Sequence, residues 1–213
     1  EHPKFKVIKD AHYDVYNRIK EFYDAGRYIL LYGNHNIYFQ DPKYVKKNLF
    51  TYYHDYQGES TDFLQGIKAY EGLVLKSREN NQEILVVHGH QGDFSNDQLW
   101  RLSILSLKYF WRRLHAFGFQ NPASPIKNLN KQHKIEKNCN KWIAKRKKML
   151  ICGHTHRYKY PKTEELPYFN TGCCIYPTSM SCIEITGGKI QIVRWRVIPN
   201  ETGLLHIERH VIR

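Results

Sequence analysis

The chain has 213 residues, 41% hydrophobic and 14% aromatic, with 33 Lys and Arg against 20 Asp and Glu for a formal net charge of +13. This is enough apolar material for a sizeable core in one large domain or a domain with an insertion, and no run reaches the roughly 18 to 20 apolar residues of a membrane span. The charge favours anionic partners (phosphates, nucleic acid or an anionic membrane surface) without choosing among them. The cysteines at 139, 152, 173, 174 and 182 are odd in number and lack paired metal-site spacing, which reads as free thiols in a reducing, cytoplasmic compartment. Glu1 stands where a natural chain would carry Met, and no charged-then-apolar leader comes after it. The parent protein is therefore expected to begin upstream.

Asp10 is placed to cap a helix over about residues 11–25, with Val15, Ile19 and Phe22 at i, i+4 and i+7 and Gly26 at its left-handed end. A buried strand over Tyr28–Tyr32 leads to Gly33-Asn34-His35-Asn36. A short helix over Asp41–Lys47 comes next, with Asp41 as cap and Pro42 in the first turn. The Tyr- and Gly-rich stretch 50–66 reads as loop. Strands at Gly72–Lys76 and Glu83–Val87, joined by a polar turn, deliver His88.

From Phe94 to Lys148 the texture changes. Asp97–Phe117 has helical propensity but is apolar on most faces, the pattern of a helix that is buried or touches something greasy. Lys131–Lys148 reads as a strongly basic helix. Lying between two strands that bear candidate ligands, the pair is placed either to cap a site or to pack as ordinary helices. The apolar run Met149–Cys152 then ends in Gly153-His154-Thr155-His156. The remainder is all β. Tyr168–Gly172 and a strand over Ser181–Thr186 precede a two-residue Gly187-Gly188 turn. The returning strand covers Lys189–Val197, and a last strand runs over Leu205–Ile212.

Three short strands each end in metal-capable side chains. Neutral imidazole is the commonest side-chain metal ligand, and sites in open α/β sheets form beyond the carboxyl ends of the strands. His88 directly ends its strand and is favoured as a ligand over its rival His90. Asp93 is placed either to orient one of them or to cap the next helix.

In order, Gly33-Asn34-His35-Asn36, the strand-end His88-Gly89, Gly153-His154-Thr155-His156 and Asn170-Thr171-Gly172 resemble the calcineurin-like metallophosphoesterase superfamily over about residues 11–197. That family's pattern runs Asp-x-His, Gly-Asp-x-x-Asp, Gly-Asn-His-Asp/Glu, a strand-end His and Gly-His-x-His. The resemblance implies an α/β fold, an αββα sandwich of two mixed sheets. It would form one domain over 1–213 with a helical cap inserted at 94–148, incomplete at its N-terminus. The layout of that insertion looks like the cap of UDP-diacylglucosamine hydrolases. By resemblance, Asn34, His88 and His154 match ligands of one metal ion and His156 a ligand of the other. His35 matches the histidine that serves the leaving group or steadies the phosphoryl oxygens. Two divalent ions, Mn foremost with Fe or Zn as alternatives, suit such donors.

Asn36 replaces the family's acidic residue, so His35 would be oriented by a neutral amide rather than held protonated by a carboxylate. Asp10-Ala-His12 has the letters of the first motif but opens a helix. The missing front ligands are expected upstream of Glu1. The implied activity is hydrolysis of a phosphoester or pyrophosphate by metal-bound hydroxide. The substrate would be a phosphorylated small molecule, a nucleotide or a lipid-linked phosphate, with peripheral membrane contact through the cap. The alternative is a catalytically weak relative that binds nucleic acid or anionic lipid through its basic surface.

Overall fold

The computed structural model describes residues 5–54, 58–92 and 129–213, and the chain divides into two units, Glu1–Glu71 and Gly72–Arg213. The expected helix over 97–117, Asp93 and the 94–128 part of the expected cap lie outside the described residues. Among the described residues no helix is long and apolar enough to cross a membrane.

In the first unit the predicted single helix is two, α1 (Phe5–Ala11) and α2 (Tyr13–Asp24). His12 breaks the path with φ −128° and ψ 39°. Asp10 does not cap; its Oδ1 accepts the Tyr52 hydroxyl at 2.7 Å. At the C-terminus of α2, Gly26 at φ +66° lets the Gly26 and Arg27 N–H groups turn back to the Tyr23 and Phe22 carbonyls, at 2.9 and 2.8 Å. The buried stripe also differs from expectation. Val15 and Phe22 are exposed, whereas Tyr16, Ile19 and Tyr23 pack on a core of Phe39, Val45, Leu49, Phe63, Leu64 and Ile67. A tyrosine can bury its ring and still satisfy its tip, as Tyr23 does by donating to the Gln65 carbonyl at 2.7 Å.

Strand β1 is only Leu30–Leu31, parallel to β4 (Ala69–Tyr70). Helix α3 (Pro42–Leu49) starts as predicted, with the Asp41 carboxylate accepting the Lys43 N–H at 2.9 Å. The stretch read as loop holds an antiparallel hairpin, β2 (Thr51–His54) with β3 (Glu59–Asp62). Its β-favouring Thr-Tyr-Tyr is short and β3 is exposed at every position, so no apolar alternation marks it. Lys9, only 5% exposed, donates to the Asn48 and Thr51 carbonyls at 2.9 and 3.3 Å. A cation there complements the negative end of α3.

The second unit is layered. A four-stranded sheet runs β5 (Gly72–Lys76), β6 (Glu83–Val87), β7 (Met149–Cys152), β8 (Tyr168–Asn170). The β5–β6 pair is antiparallel, and β6–β7 and β7–β8 are parallel. On one face lies α4 (Leu129–Arg146), whose Ile135, Cys139 and Ile143 pack on Leu150, Cys152 and Tyr168. On the other, Ile84, Ile151 and Phe169 meet Ile190 and Ile183. Those two residues belong to a second sheet ordered β11 (Leu205–Val211), β10 (Lys189–Pro199), β9 (Ser179–Thr186). Its β9–β10 turn is Gly187-Gly188, both with positive φ, as the primed hairpin turn requires.

The broad α/β reading stands, but the architecture differs from two mixed sheets. The described strands form four small sheets, of which this second one is wholly antiparallel. Helix α4, expected either to cap a site or to pack as an ordinary helix, packs on the first sheet. The reason is its i, i+3, i+7, i+11 row of Gln132, Ile135, Cys139 and Ile143, buried beneath an otherwise basic surface.

Ile143 is 1% exposed and Val74 is 54% exposed. Ile143→Ala is expected to remove about 2–5 kcal/mol of stability, while Val74→Ala changes it by about 0.5 kcal/mol or less. Urea unfolding followed by far-UV circular dichroism reads both.

Candidate functional site

Parallel pairing of β6 and β7 brings their carboxyl ends to one sheet edge, where His88 and Gly153 continue the chain. The Gly153 N–H donates to the His88 carbonyl at 2.9 Å, so the two exits stay joined beyond the ladder. The His88 ring stands 5.2 Å from that of His154, edge-on at 66°, and 5.6 Å from that of His90. His90 and His154 are buried and His88 and His156 half-buried. The structure thus gathers His88, His90 and His154, and the rivalry of His88 with His90 becomes a contiguous set of rings.

The loop bearing His154 and His156 is held in an uncommon conformation. His154 has φ +64° and His156 φ +59°, a region that side chains other than glycine visit at a cost of about 1–3 kcal/mol each. The Thr155 N–H bonds to the Gly153 carbonyl at 2.7 Å. That closes a three-residue turn around His154 of the rare, strained kind. What over-determines it is buried polar chemistry. Asn170, fully buried, donates from Nδ2 to the Gly153 carbonyl at 2.7 Å and to Thr155 Oγ1 at 3.1 Å. Its Oδ1 accepts the Gly172 N–H at 3.0 Å. From α4, Gln132 Nε2 donates to the Thr155 carbonyl at 3.1 Å. Two glycines are required nearby. A Cβ on Gly172 (φ +78°) would sit 2.1 Å from Ser181 Oγ, and one on Gly89 (φ +104°) 3.0 Å from Cys152 Cβ.

The floor beneath the histidines carries little charge. A shared hydrogen bond with Cys139, then burial, pushes the Cys152 thiol well up, and the same bond draws the Cys139 thiol down. Burial raises the Tyr168 hydroxyl, which accepts from Asn170 Nδ2 at 3.0 Å.

In the first unit Asn34–Gln40 is a 3₁₀ segment, with Asn34 half-buried and His35 exposed. Asn36 departs from helical angles at φ −124°. Its Oδ1 accepts the Gly33 N–H at 2.5 Å while its own N–H returns to the Gly33 carbonyl at 3.2 Å. That amide oxygen therefore shapes the turn carrying His35, and a carboxylate could accept the same bond. Residue pattern alone assigns no part to Gln132 and no role to Asn170. A lone polar residue in the apolar row of α4 was the available signal for Gln132.

Imidazole suits a borderline divalent ion, so the donor type fits. The number is short: among the described residues no three His, Cys, Asp or Glu side chains converge to hold an ion.

No protein family and no curated protein matches the chain. Among solved structures it is similar to Vps29 of Entamoeba histolytica complexed with Zn²⁺, at 18% identity over 72% of this chain and 67% of that one, with a TM-score of 0.33. A single mutant of that protein gives 16% over 71% and 65%, TM-score 0.31. Vps29 of Chaetomium thermophilum gives 10% over 68% and 59%, TM-score 0.30. The chain spans 59% of the length of the last of these and 65% of the mutant. Likenesses at this level establish neither a family nor an activity for this chain.

Asn170→Ala should destabilise the second unit by about 1–3 kcal/mol for each buried partner it leaves unsatisfied, and shift the His154 and His156 imidazole resonances. Urea titration and NMR read the two effects. Because burial raises the Tyr168 hydroxyl, the folded chain keeps that proton to higher pH than the unfolded chain. The resulting stabilisation is complete below about pH 10 and is lost as pH climbs above it. Tyr168→Phe should reduce that alkaline limb, leaving the share due to the raised Tyr16, Tyr28, Tyr32 and Tyr44 hydroxyls and the raised Cys152 and Cys182 thiols.

Proposed function

We propose that the chain belongs to a metal-dependent phosphohydrolase acting on a phosphoester or pyrophosphate bond, with His88, His154 and His156 as ligands beyond the β6 and β7 ends. The observation that carries this reading is the Gly153–His156 loop, with His154 and His156 in left-handed backbone. A buried Asn170 and Gln132 fix two histidines in strained backbone beside a third ring. Strain of that kind concentrates where a side chain must be aimed. When bound, divalent ions (Mn, with Fe or Zn as alternatives) would neutralise phosphoryl oxygens and activate a water. Asn34 is assigned as a further ligand and His35 as the group that serves the leaving oxygen, with Asn36 holding the turn that presents it. These three assignments rest on the motif.

The substrate is a phosphorylated small molecule, a nucleotide or a lipid-linked phosphate, the last with peripheral membrane contact. Because α4 belongs to the core, a deletion that tests the lipid arm must stop before Leu129. The free cysteines at 139, 152, 173, 174 and 182 suit a reducing, cytoplasmic setting.

A second reading has its own support. Asn36 in place of the motif's acidic residue and the net charge of +13 favour a binding module for nucleic acid or anionic lipid. Its affinity would fall steeply with salt.

The test is hydrolysis of a phosphoester and pyrophosphate panel by Mn-loaded protein. His35→Ala should lower kcat by about 10²-fold or more, and His154→Ala should abolish turnover. His133→Ala, at an exposed position of α4, should leave it unchanged. No turnover in any panel member, or full rates in His35→Ala, would sink the enzymatic reading.

A further inference from the structure

Immediately beyond His156 the second unit has a cavity of about 290 Å³, and its lining includes His156, Arg157, Tyr158, Tyr176, Met180 and Arg194. No carboxylate lines it. The neighbouring acids on these strands are engaged elsewhere, Glu208 with Arg196 and Glu184 with Arg209. Among the described residues neither Arg157 nor Arg194 is in an ion pair. The Arg194 guanidinium lies 5.3 Å from the centroid of the Tyr158 ring, which props it against an aromatic face. Tyr158, Tyr176 and Met180 are 40%, 56% and 45% exposed, so flat and polarizable apolar surface adjoins the two cations.

We propose that this cavity is a binding subsite for a second phosphate and its adjoining ring, making the preferred ligand a nucleoside diphosphate or a related organic diphosphate. Guanidinium presents a planar fork of donors that matches phosphate oxygens. His156 and Arg157 both line the cavity, so a phosphate held by the histidine loop and one in the cavity would be neighbours along a single ligand. Tyr158, Tyr176 and Met180 supply contact for the ring. The volume sits at the small end of ligand pockets, which run from about 300 to 1,000 Å³. The subsite deepens the phosphohydrolase reading and rests on it for its place beside a reacting phosphate. Its binding needs no metal ion.

The test is equilibrium binding of ADP and of inorganic pyrophosphate to the 213-residue chain in excess EDTA, with circular dichroism confirming that each variant is folded. Saturable ADP binding is expected. Arg157→Gln, at an exposed position, and Arg194→Ala should each weaken it by roughly tenfold or more. Tyr176→Ala should weaken ADP but not pyrophosphate. Lys189→Gln removes the same charge outside the cavity and should change neither. If Arg194→Ala fails to fold, Arg157→Gln and Tyr176→Ala still decide. The proposal is overturned by no saturable ADP binding, by equal affinity in Arg157→Gln, by equal losses in Lys189→Gln, or by binding to phosphatidic acid vesicles without binding to ADP. Turnover plays no part in this readout, so a failed hydrolysis assay with intact ADP binding would fault the catalytic reading alone.

Discussion

The carboxamide of Asn170 lies fully buried at the end of β8, and the shape of the chain beyond β7 depends on its bond to the Gly153 carbonyl at 2.7 Å. A buried amide left without partners would cost about 1–3 kcal/mol. Here it instead ties three things together: the turn around His154, the Thr155 hydroxyl and the Gly172 N–H. Gln132 grips the same turn from the helical layer through the Thr155 carbonyl. The strained loop therefore persists because two layers of the second unit hold it from beneath. Its histidines are aimed by that floor rather than by the loop's own preference.

The floor itself is the ordinary hydrophobic chemistry of a sheet covered on both faces. Strand β7 is buried along most of its length, between α4 on one side and β9–β10 on the other. Parallel neighbours put the ends of β6 and β7 at the same edge. Sequence, packing and site are thus linked: apolar Met149–Cys152 fixes the strand, the strand end fixes Gly153, and Asn170 fixes the turn around His154. The cavity beyond His156 continues the same logic, since Arg194 projects from β10 and Arg157 from the loop that Asn170 holds.

Much of the second unit was legible because its signals are local. Alternation and the Gly187-Gly188 pair marked the β9–β10 hairpin, and the apolar runs before His88 and Gly153 marked β6 and β7. The first unit was harder. Tyr16 and Tyr23 join Ile19 on its half-buried stripe, and residue-type hydrophobicity ranks the two tyrosines below Val15 and Phe22, which are exposed. The β2–β3 hairpin had no apolar alternation to show. Helix α4 reads as strongly basic, with capping and packing both open, because only three apolar side chains and one amide carry its buried face. In the site, the histidines were visible as residue types, but their left-handed backbone was not. That conformation is set by Asn170 and Gln132, partners distant in sequence, and only the fold brings them together.

The measurement that tests the central claim most directly is metal content per chain after dialysis against Zn²⁺ or Mn²⁺. It would compare the 213-residue chain with a His154→Ala/His156→Ala double variant and with Asn170→Ala. If the strained loop exists to aim ligands, the parent retains an ion, the double variant loses it, and Asn170→Ala weakens it although no ligand has been removed. A folded parent that retains no ion, or retention unchanged in the double variant, would contradict the account and make the histidines structural.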